Sequence, residues 1–377
     1  MVEYSLNSFI PLIKPTVGKE ELKEIEEVIS SGWLSQGPKV REFENKLADY
    51  LGAKHVIATS SCTTAMSLAI EALALRPKSK VIVPDFTFPA TGNVVVRGNC
   101  TPVIADVRPD NFSIDPAELG RTDAGDTSAV LPVHPFGHPF ELDEVYEWAV
   151  KNNSRVIEDA ATAIGTKYKK RKVGSSGAAI CFSFHPRKLL TTGEGGCLVT
   201  DDDEIDQRAR AFRSHGQVSY GVARFVYNGL NYRMSDVNAA IGIAQLAKLD
   251  RAIVSRRRMA RTYSELLKES RLDVQIPTEA PWGHHVYQSY VVVLGRQFRG
   301  HRDDCIRRMK DDFKVETQVG TYSMHMLESF RNVERLSDLR SGEALFTRSL
   351  TLPLFEGLTD EDQGHIVSSL KRVSREA

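Results

Sequence analysis

The stretch "FSFHPRKLLTTGEGG", residues 182–196, decides how this chain is read. It opens as an apolar run, sets Arg187 and Lys188 side by side, and closes on three glycines whose backbone bends freely. An apolar run of this kind is what a strand buried on both faces looks like. A lysine at the end of such a strand, in a chain with no excess of positive charge, asks for a chemical reason.

Working outward, the same kind of run recurs along the first half of the chain. "HVIATSS" (55–61), "KVIVPD" (80–85), "TPVIADV" (101–107) and "AVLPVHPF" (129–136) precede it, as does "SRVIEDAA" (154–161). "AAICFSFHP" (178–186) contains its beginning and "GGCLVTD" (195–201) follows. Segments of helical pattern such as "TTAMSLAIEALAL" and "ELDEVYEWAVKN" join several of them. Seven continuous, β-branched strands with helical crossovers predict an α/β fold, with a mostly parallel seven-stranded sheet and helices on both faces. Upstream, "GKEELKEIEEVISSGW" aligns Leu22, Ile25, Val28 and Ile29 on an expected inward helical face. "VREFENKLADYLG" does the same with Phe43, Leu47 and Leu51, and Gly52 reads as its stop. From "MSDVNAAIG" the pattern becomes one long helix capped by Ser235, with Val237, Ala240, Ile241 and Leu246 as its apolar face. Beyond it come one clear strand, "VYQSYVVVLG", and two or three amphipathic helices. The expected division is a large domain over residues 1–245 and a smaller C-terminal α+β domain over 246–377.

The bulk numbers exclude several function classes. With 49 basic and 49 acidic side chains, no net field draws in nucleic acid or anionic lipid. Hydrophobic residues at 41% and charged ones at 26% are an ordinary globular balance, not that of a disordered chain. No apolar run reaches the length of a membrane span, and "MVEYSLNSFIPLIKP" lacks a basic start and a long apolar core, so a cytoplasmic protein is expected. Cys62, Cys100, Cys181, Cys197 and Cys305 are odd in number and widely spaced, which predicts reduced thiols and no metal cluster. "SRRRMARTY" (255–263) is the one basic cluster and reads as a solvated helix face.

In open α/β sheets, ligands gather beyond the carboxyl ends of the strands. After the first strand, "SSCTTAM" opens a helix whose free N–H groups suit a phosphate, although serine and threonine there also serve as ordinary caps. After the second, "DFTFPATGN" offers Phe86 and Phe88 as a stacking wall or as plain core. After the fifth, either Glu158 or Asp159 places a carboxylate that burial makes expensive unless it is paired. After the sixth stands Lys188, close in sequence to Ser183 and His185. A lysine drawn partly out of water has a lowered pKa, and its neutral amine forms a Schiff base with an aldehyde. Arg187 stays protonated and cannot. A phosphate cradle, an aromatic wall, a carboxylate and an amine at one sheet edge are the set that pyridoxal phosphate requires.

Six motifs in order carry a resemblance to a known family: "GWLSQGPKVREFENKLADYLG", "SSCTTAMSLAI", "VPDFTFPATGN", "VIEDAATAIG", the opening stretch and "GLNYRMSDVNAAIG". The chain resembles the DegT/DnrJ/StrS family of sugar aminotransferases, fold-type-I pyridoxal-phosphate enzymes, from about residue 10 to 245 and more faintly to its end. The resemblance implies that Lys188 carries the cofactor and shuttles the substrate proton, while Asp159, rather than Glu158, faces the pyridine nitrogen. It also implies that Ser183, Thr63 and the backbone at Thr64 hold the phosphate, and that Phe88 stacks on the ring. Asn231 is similar to an asparagine that reaches the neighbouring subunit's phosphate, with Arg233 assisting, which implies a homodimer with shared sites. Two departures stand out. Thr162 replaces the family's common glutamine or histidine near the cofactor's ring oxygen. "GTYSMH" (320–325) replaces a frequent "HYP", leaving Tyr322 and His325, together with His185 and Arg233, as candidates for the substrate side.

The reaction so implied is a ping-pong transamination. An amino acid donor, by resemblance L-glutamate, converts pyridoxal to pyridoxamine phosphate, and a nucleotide-linked keto (deoxy)sugar then takes up the amine. Related 3-dehydratases carry histidine in place of the lysine, and the lysine at position 188 speaks against that reaction. An aminotransferase of a cyclitol ketone remains a second reading. A P-loop is excluded, because Lys188 precedes the glycines instead of following them. A cofactor-binding sensor would carry an added DNA-binding domain, for which neither spare length nor a basic segment is present.

Overall fold

The computed structural model describes residues 9–122, 124–175, 177, 179–219, 222–298 and 302–376. Residues 1–8, on which the expectation of no leader partly rests, lie outside the described residues, as does Ala178 at the start of the sixth strand run. All seven expected strands form. They are β1 (His55–Thr59), β2 (Lys80–Pro84), β3 (Thr101–Ala105), β4 (Thr127–Val130), β5 in two pieces (Arg155–Val156 and Glu158–Asp159), β6 (Ile180–Ser183) and β7 (Gly196–Thr200).

Register pairs place these strands in the order β3-β2-β4-β5-β6-β7-β1. Backbone bonds from Ile157 to Val130 and from Asp159 to Pro132 carry the sheet across the break in β5. Every pairing is parallel except the two made by β7, which runs against both neighbours, so the sheet is mostly parallel as expected. Glu334–Arg335 adds a short parallel strand beyond β3.

The apolar runs are continuous because the sheet is covered on both sides. Ile57, Ile157, Cys181 and Leu198 pack under α3 (Cys62–Ala72), α4 (Ala90–Arg97) and α6 (Asp203–Arg213). Val56, Ala58, Ile180, Phe182 and Val199 point the other way, into Phe43, Leu47 and Leu51 of α2 (Pro38–Leu51). Burying one such side chain stabilises by about 1.5–3 kcal/mol, and the two-residue alternation distributes that gain over both faces. Gly52 ends α2 with φ 75°, its N–H bonded to the Ala48 carbonyl, as the sequence led us to expect. All five cysteines are free and buried.

Helix α1 (Lys19–Ser31) departs from its expected orientation. Val28 is buried, but Leu22 and Ile29 are exposed and Glu21 is inside. Glu21 accepts from the Gln245 side chain (2.7 Å) and the Gly18 amide (2.7 Å) and pairs with Lys248 (2.6 Å). Those polar partners on the opposing helix rotate the buried face toward Glu21 and away from Leu22, an outcome that apolar spacing alone misses.

The opposing helix is α7 (Asp236–Ser270), 35 residues long and capped as expected, with the Asn238 amide donating to Ser235 Oγ (3.2 Å). Its first half packs Ile243, Leu249 and Ile253 against the sheet. Its second half packs Met259, Tyr263 and Leu267 into another core. That core lies against an antiparallel sheet in the order β8 (Val274–Gln275), β9 (Tyr290–Leu294), β11 (Ser349–Leu352), β10 (Gln318–Val319). Helices α8 (Arg302–Phe313) and α10 (Asp360–Glu376) complete it, and Ile10 enters it from the other end of the chain. Residues 322–339 return to the large sheet, where Met324, Phe330 and Leu339 join the core beside α3.

Candidate active site

The carboxyl ends of β1, β5 and β6 and the loop after β2 bring the expected residues toward one edge. Register explains the carboxylates. Consecutive residues of a strand face opposite sides, so Glu158 and Asp159 cannot share an environment. Glu158 turns into the protein, pairing with His134 Nε2 (2.8 Å) and accepting from the Tyr146 hydroxyl (2.5 Å). Asp159, opposite Cys181 in β6, turns to the site. Its carboxylate is buried and accepts from Thr91 Oγ1 (2.8 Å) and the Ala161 amide (3.1 Å). Because Thr91 donates there, the Thr87 hydroxyl 3.0 Å away must donate to Thr91, giving a directed chain from Thr87 to Thr91 to Asp159. Thr91 is the residue that sequence reasoning passed over; it sat within the quoted "DFTFPATGN", but nothing local tied it to a carboxylate 68 positions on.

Lys188 lies four residues beyond Phe184, past the end of β6, its amide bonded to the His185 carbonyl (2.8 Å). The side chain is half-buried, and burial pushes its ammonium below the ordinary lysine range. Cys62 and Asp159 pull it back part of the way, while Arg187 adds to the lowering. Cys62 opens α3 and Asp159 ends β5, the two elements that flank the start of this loop.

The phosphate expectation falls on the start of α3. Ser61 caps it, accepting from the Thr64 amide (3.1 Å), and Thr64 Oγ1 donates back to the Ser61 carbonyl (2.8 Å). The Cys62 and Thr63 amides find no acceptor among the described residues, and the Thr63 side chain is exposed. Gly196 makes this turn possible, since a Cβ on it would stand 2.4 Å from the Cys62 nitrogen. Ser183 is buried, its hydroxyl facing the His185 amide at 3.4 Å. An anion at the N-terminus of a helix of this length meets free amides and a positive dipole end.

The other expected residues fall into two groups. Phe88 is 63% exposed, its ring against Tyr322 (centroids 6.3 Å), because Tyr322–Ser323 pairs with Phe86–Thr87. Asn231 is exposed and Arg233 half-buried, and the 231–233 strip runs beside the end of β1, Ser60 bonding to the Tyr232 carbonyl. His185 is half-buried, with Nδ1 accepting from the Arg187 amide (3.2 Å) and burial lowering its pKa. The remaining two are tied down. Thr162 donates its hydroxyl to the His134 carbonyl (2.7 Å). His325 is buried with Nδ1 2.9 Å from Asp85, whose other oxygen accepts from Ser323 (2.6 Å). His325 thus anchors the 322–326 turn onto the strand end that carries Phe88.

A buried carboxylate with oriented donors, an amine of lowered pKa, free helix amides and an exposed aromatic face fit pyridoxal phosphate group by group. Among the described residues no cluster of metal-ligating side chains occurs, and no helix is long and apolar enough to cross a membrane.

Comparison with known proteins points to one family. The sequence model of the DegT/DnrJ/EryC1/StrS aminotransferase family matches residues 15–371. A GDP-perosamine synthase of Caulobacter vibrioides is 35% identical, over 97% of this chain and 98% of its own. The crystal structure of DesI in the presence of its TDP-sugar product superposes with a TM-score of 0.89 at 30% identity, covering 98% of this chain and 94% of that one. The PLP form of a Streptococcus pneumoniae protein assigned as a sugar aminotransferase superposes with a TM-score of 0.90 at 25% identity, over 98% of each chain.

Proposed function

The chain belongs to the DegT/DnrJ/EryC1/StrS aminotransferase family, and we propose that it moves the amino group of L-glutamate to a nucleotide-linked keto (deoxy)sugar, holding pyridoxal 5'-phosphate on Lys188. The observation that carries this reading is a lysine on the loop after β6, withdrawn from water and under the influence of Asp159 in the adjacent β5, beside the free amides of α3. Bound there, the cofactor supplies an aldehyde for an amine and a cationic ring that takes up the electron pair left by a departing Cα proton.

The chain's own groups do the rest. Burial lowers the pKa of Lys188 Nζ, so its neutral form is available to bond carbon and, when released, to lift and return a proton. Asp159, oriented by Thr91 and the Ala161 amide, presents a carboxylate that keeps a ring nitrogen cationic. The Cys62 and Thr63 amides and Ser183 receive the phosphate, and Phe88 covers one ring face. Tyr322, His185 and Arg233 line the approach for the sugar. His325, bonded to Asp85, serves by holding Tyr322 in place.

The reading includes a homodimer in which Asn231 completes the partner's phosphate cradle. Exposed apolar side chains support it: Phe225, Val226 and Leu230 lie within six residues before Asn231, and Trp33 and Leu34 lie beside the start of α7, where the Asp236 amide bonds to the Leu34 carbonyl. A surface of this composition next to a site residue is expected to be covered. The test is borohydride trapping with peptide mapping, followed by 2-oxoglutarate release from glutamate with nucleoside-diphosphate-linked keto sugars. Trapping at Lys188 and its loss together with turnover in Lys188→Ala are expected; a fully active Lys188→Ala protein refutes the assignment.

A further inference from the structure

Gln288, just before β9, touches none of the groups assigned so far, yet it grips the loop that carries Lys188 from both sides. Its Oε1 accepts from the Leu189 amide (2.8 Å) and its Nε2 donates to the Arg187 carbonyl (2.5 Å). The two peptide groups flanking the lysine are therefore bonded to one carboxamide. Their chemistry leaves no choice of orientation, since an amide must donate and a carbonyl must accept. A primary carboxamide is the uncharged side-chain group that offers a donor and an acceptor side by side. Gln288 is itself buried, and its backbone carbonyl accepts from Arg256 Nη1 of α7 (2.7 Å). The Arg187 side chain adds a third tie, to Gln318 Oε1 of β10 (2.9 Å). The lysine sits on a loop after β6 of the large sheet, but its immediate backbone is fastened to elements of the smaller sheet.

We propose that Gln288 is a positioning residue that sets the reach of Lys188, so that the small sheet, rather than β6, determines where the amine points. This rests on Lys188 being the cofactor lysine. Without the carboxamide, the Arg187–Leu189 backbone keeps only bonds back to His185, from the Lys188 amide to its carbonyl and from the Arg187 amide to its Nδ1, and the side chain samples positions from which Nζ misses the aldehyde.

Gln288→Met keeps length and volume and removes both bonds. Three measurements on the full-length protein test it. Hydrogen exchange at the Leu189 amide should speed up while protection elsewhere in β6 and β9 stays. Borohydride-trapped pyridoxal phosphate at Lys188 should form roughly tenfold more slowly, the scale set by two lost buried bonds. Reductive methylation by formaldehyde, which needs no cofactor site, should show Lys188 titrating closer to an ordinary lysine, because a loosened loop admits water. Trapping within about threefold of wild type, or an unchanged Leu189 amide, overturns the proposal. Should Gln288→Met fail to fold, Gln288→Glu retains the acceptor for Leu189 and turns a lone pair toward the Arg187 carbonyl once ionised. Trapping by that variant at pH 8 should fall below about a tenth of wild type, and an equal rate overturns the proposal. If wild type itself traps nothing at Lys188, the cofactor assignment fails, while Leu189 exchange and formaldehyde methylation still read the clamp.

Discussion

Replacing Thr91 by valine isolates what orients Asp159. Valine matches threonine in shape and lacks only the hydroxyl. The lost bond is 2.8 Å long, ends on a carboxylate, and lies where Thr91 is fully buried and Asp159 nearly so. Hydrogen bonds to charged groups contribute about 1.5–3 kcal/mol, and water cannot replace the donor at a buried site. The Thr87 hydroxyl also loses its acceptor. A cost of about 2 kcal/mol in urea unfolding of the cofactor-free protein is therefore expected, with an unchanged slope against denaturant. Thr91→Ser, which keeps the bond and gives up a methyl group, should cost about 0.8 kcal/mol. In an Asp159→Asn background the same Thr91→Val change should fall to about 1 kcal/mol, because the bond is then between neutral groups. Pyridoxal phosphate affinity, measured by equilibrium dialysis, should drop for Thr91→Val and hold for Thr91→Ser. A serine variant less stable than the valine variant, or equal costs of Thr91→Val in both backgrounds, refutes the account of Asp159 given above.

Three further outcomes are expected. Glu44 is buried between Arg213 and Arg210, taking Arg213 Nη1 at 2.6 Å and the Ala58 amide at 2.8 Å, so Glu44→Gln should destabilise by about 3–5 kcal/mol by stranding the buried Arg213 charge; a thermal midpoint equal to wild type counts against this. Gly196→Ala should weaken pyridoxal phosphate binding and lower stability together, since the new methyl group meets the Cys62 nitrogen at 2.4 Å and the Phe182 carbonyl at 2.7 Å, and unchanged affinity contradicts the cradle. His138 is pushed down to about 4 by burial, only partly offset by its bond to the Pro139 carbonyl. Its Nε2 accepts from the Ala280 amide, a bond that protonation breaks. Because the folded pKa lies below the ordinary 6.5, the unfolded chain takes up the proton first, and stability is lost as pH falls from about 6.5 to 4, by about 3 kcal/mol. NMR titration checks this: a His138 midpoint above 6 is incompatible with it.

Much of the fold was legible because its signals are local. Seven β-branched runs, the Ser235 cap and the Gly52 stop each report a backbone preference that the structure keeps. The inward face of α1 was misread because Glu21 finds Lys248 and Gln245 on a helix more than 220 residues away, and burial followed the partners rather than the apolar spacing. Gln288 carried no signal at all: a lone glutamine ahead of an apolar strand looks like any strand entry.

The chain alone determined which chemistry is available, since the order of strands, the lysine after the sixth and the acid pair after the fifth are properties of adjacent residues. The residues around Glu158 and Asp159 left both open and the resemblance pointed to Asp159; only tertiary structure gave the two their different surroundings, His134 and Tyr146 for the one and Thr91 for the other, because that depends on which face of β5 meets the threonines of the 87–91 turn. It alone tied the Lys188 loop to Gln288 and His325 to Asp85. Hydrogen bonds between groups 68 to 240 positions apart exist only after the sheet has closed over its two cores, and periodicity along the chain carries no trace of them.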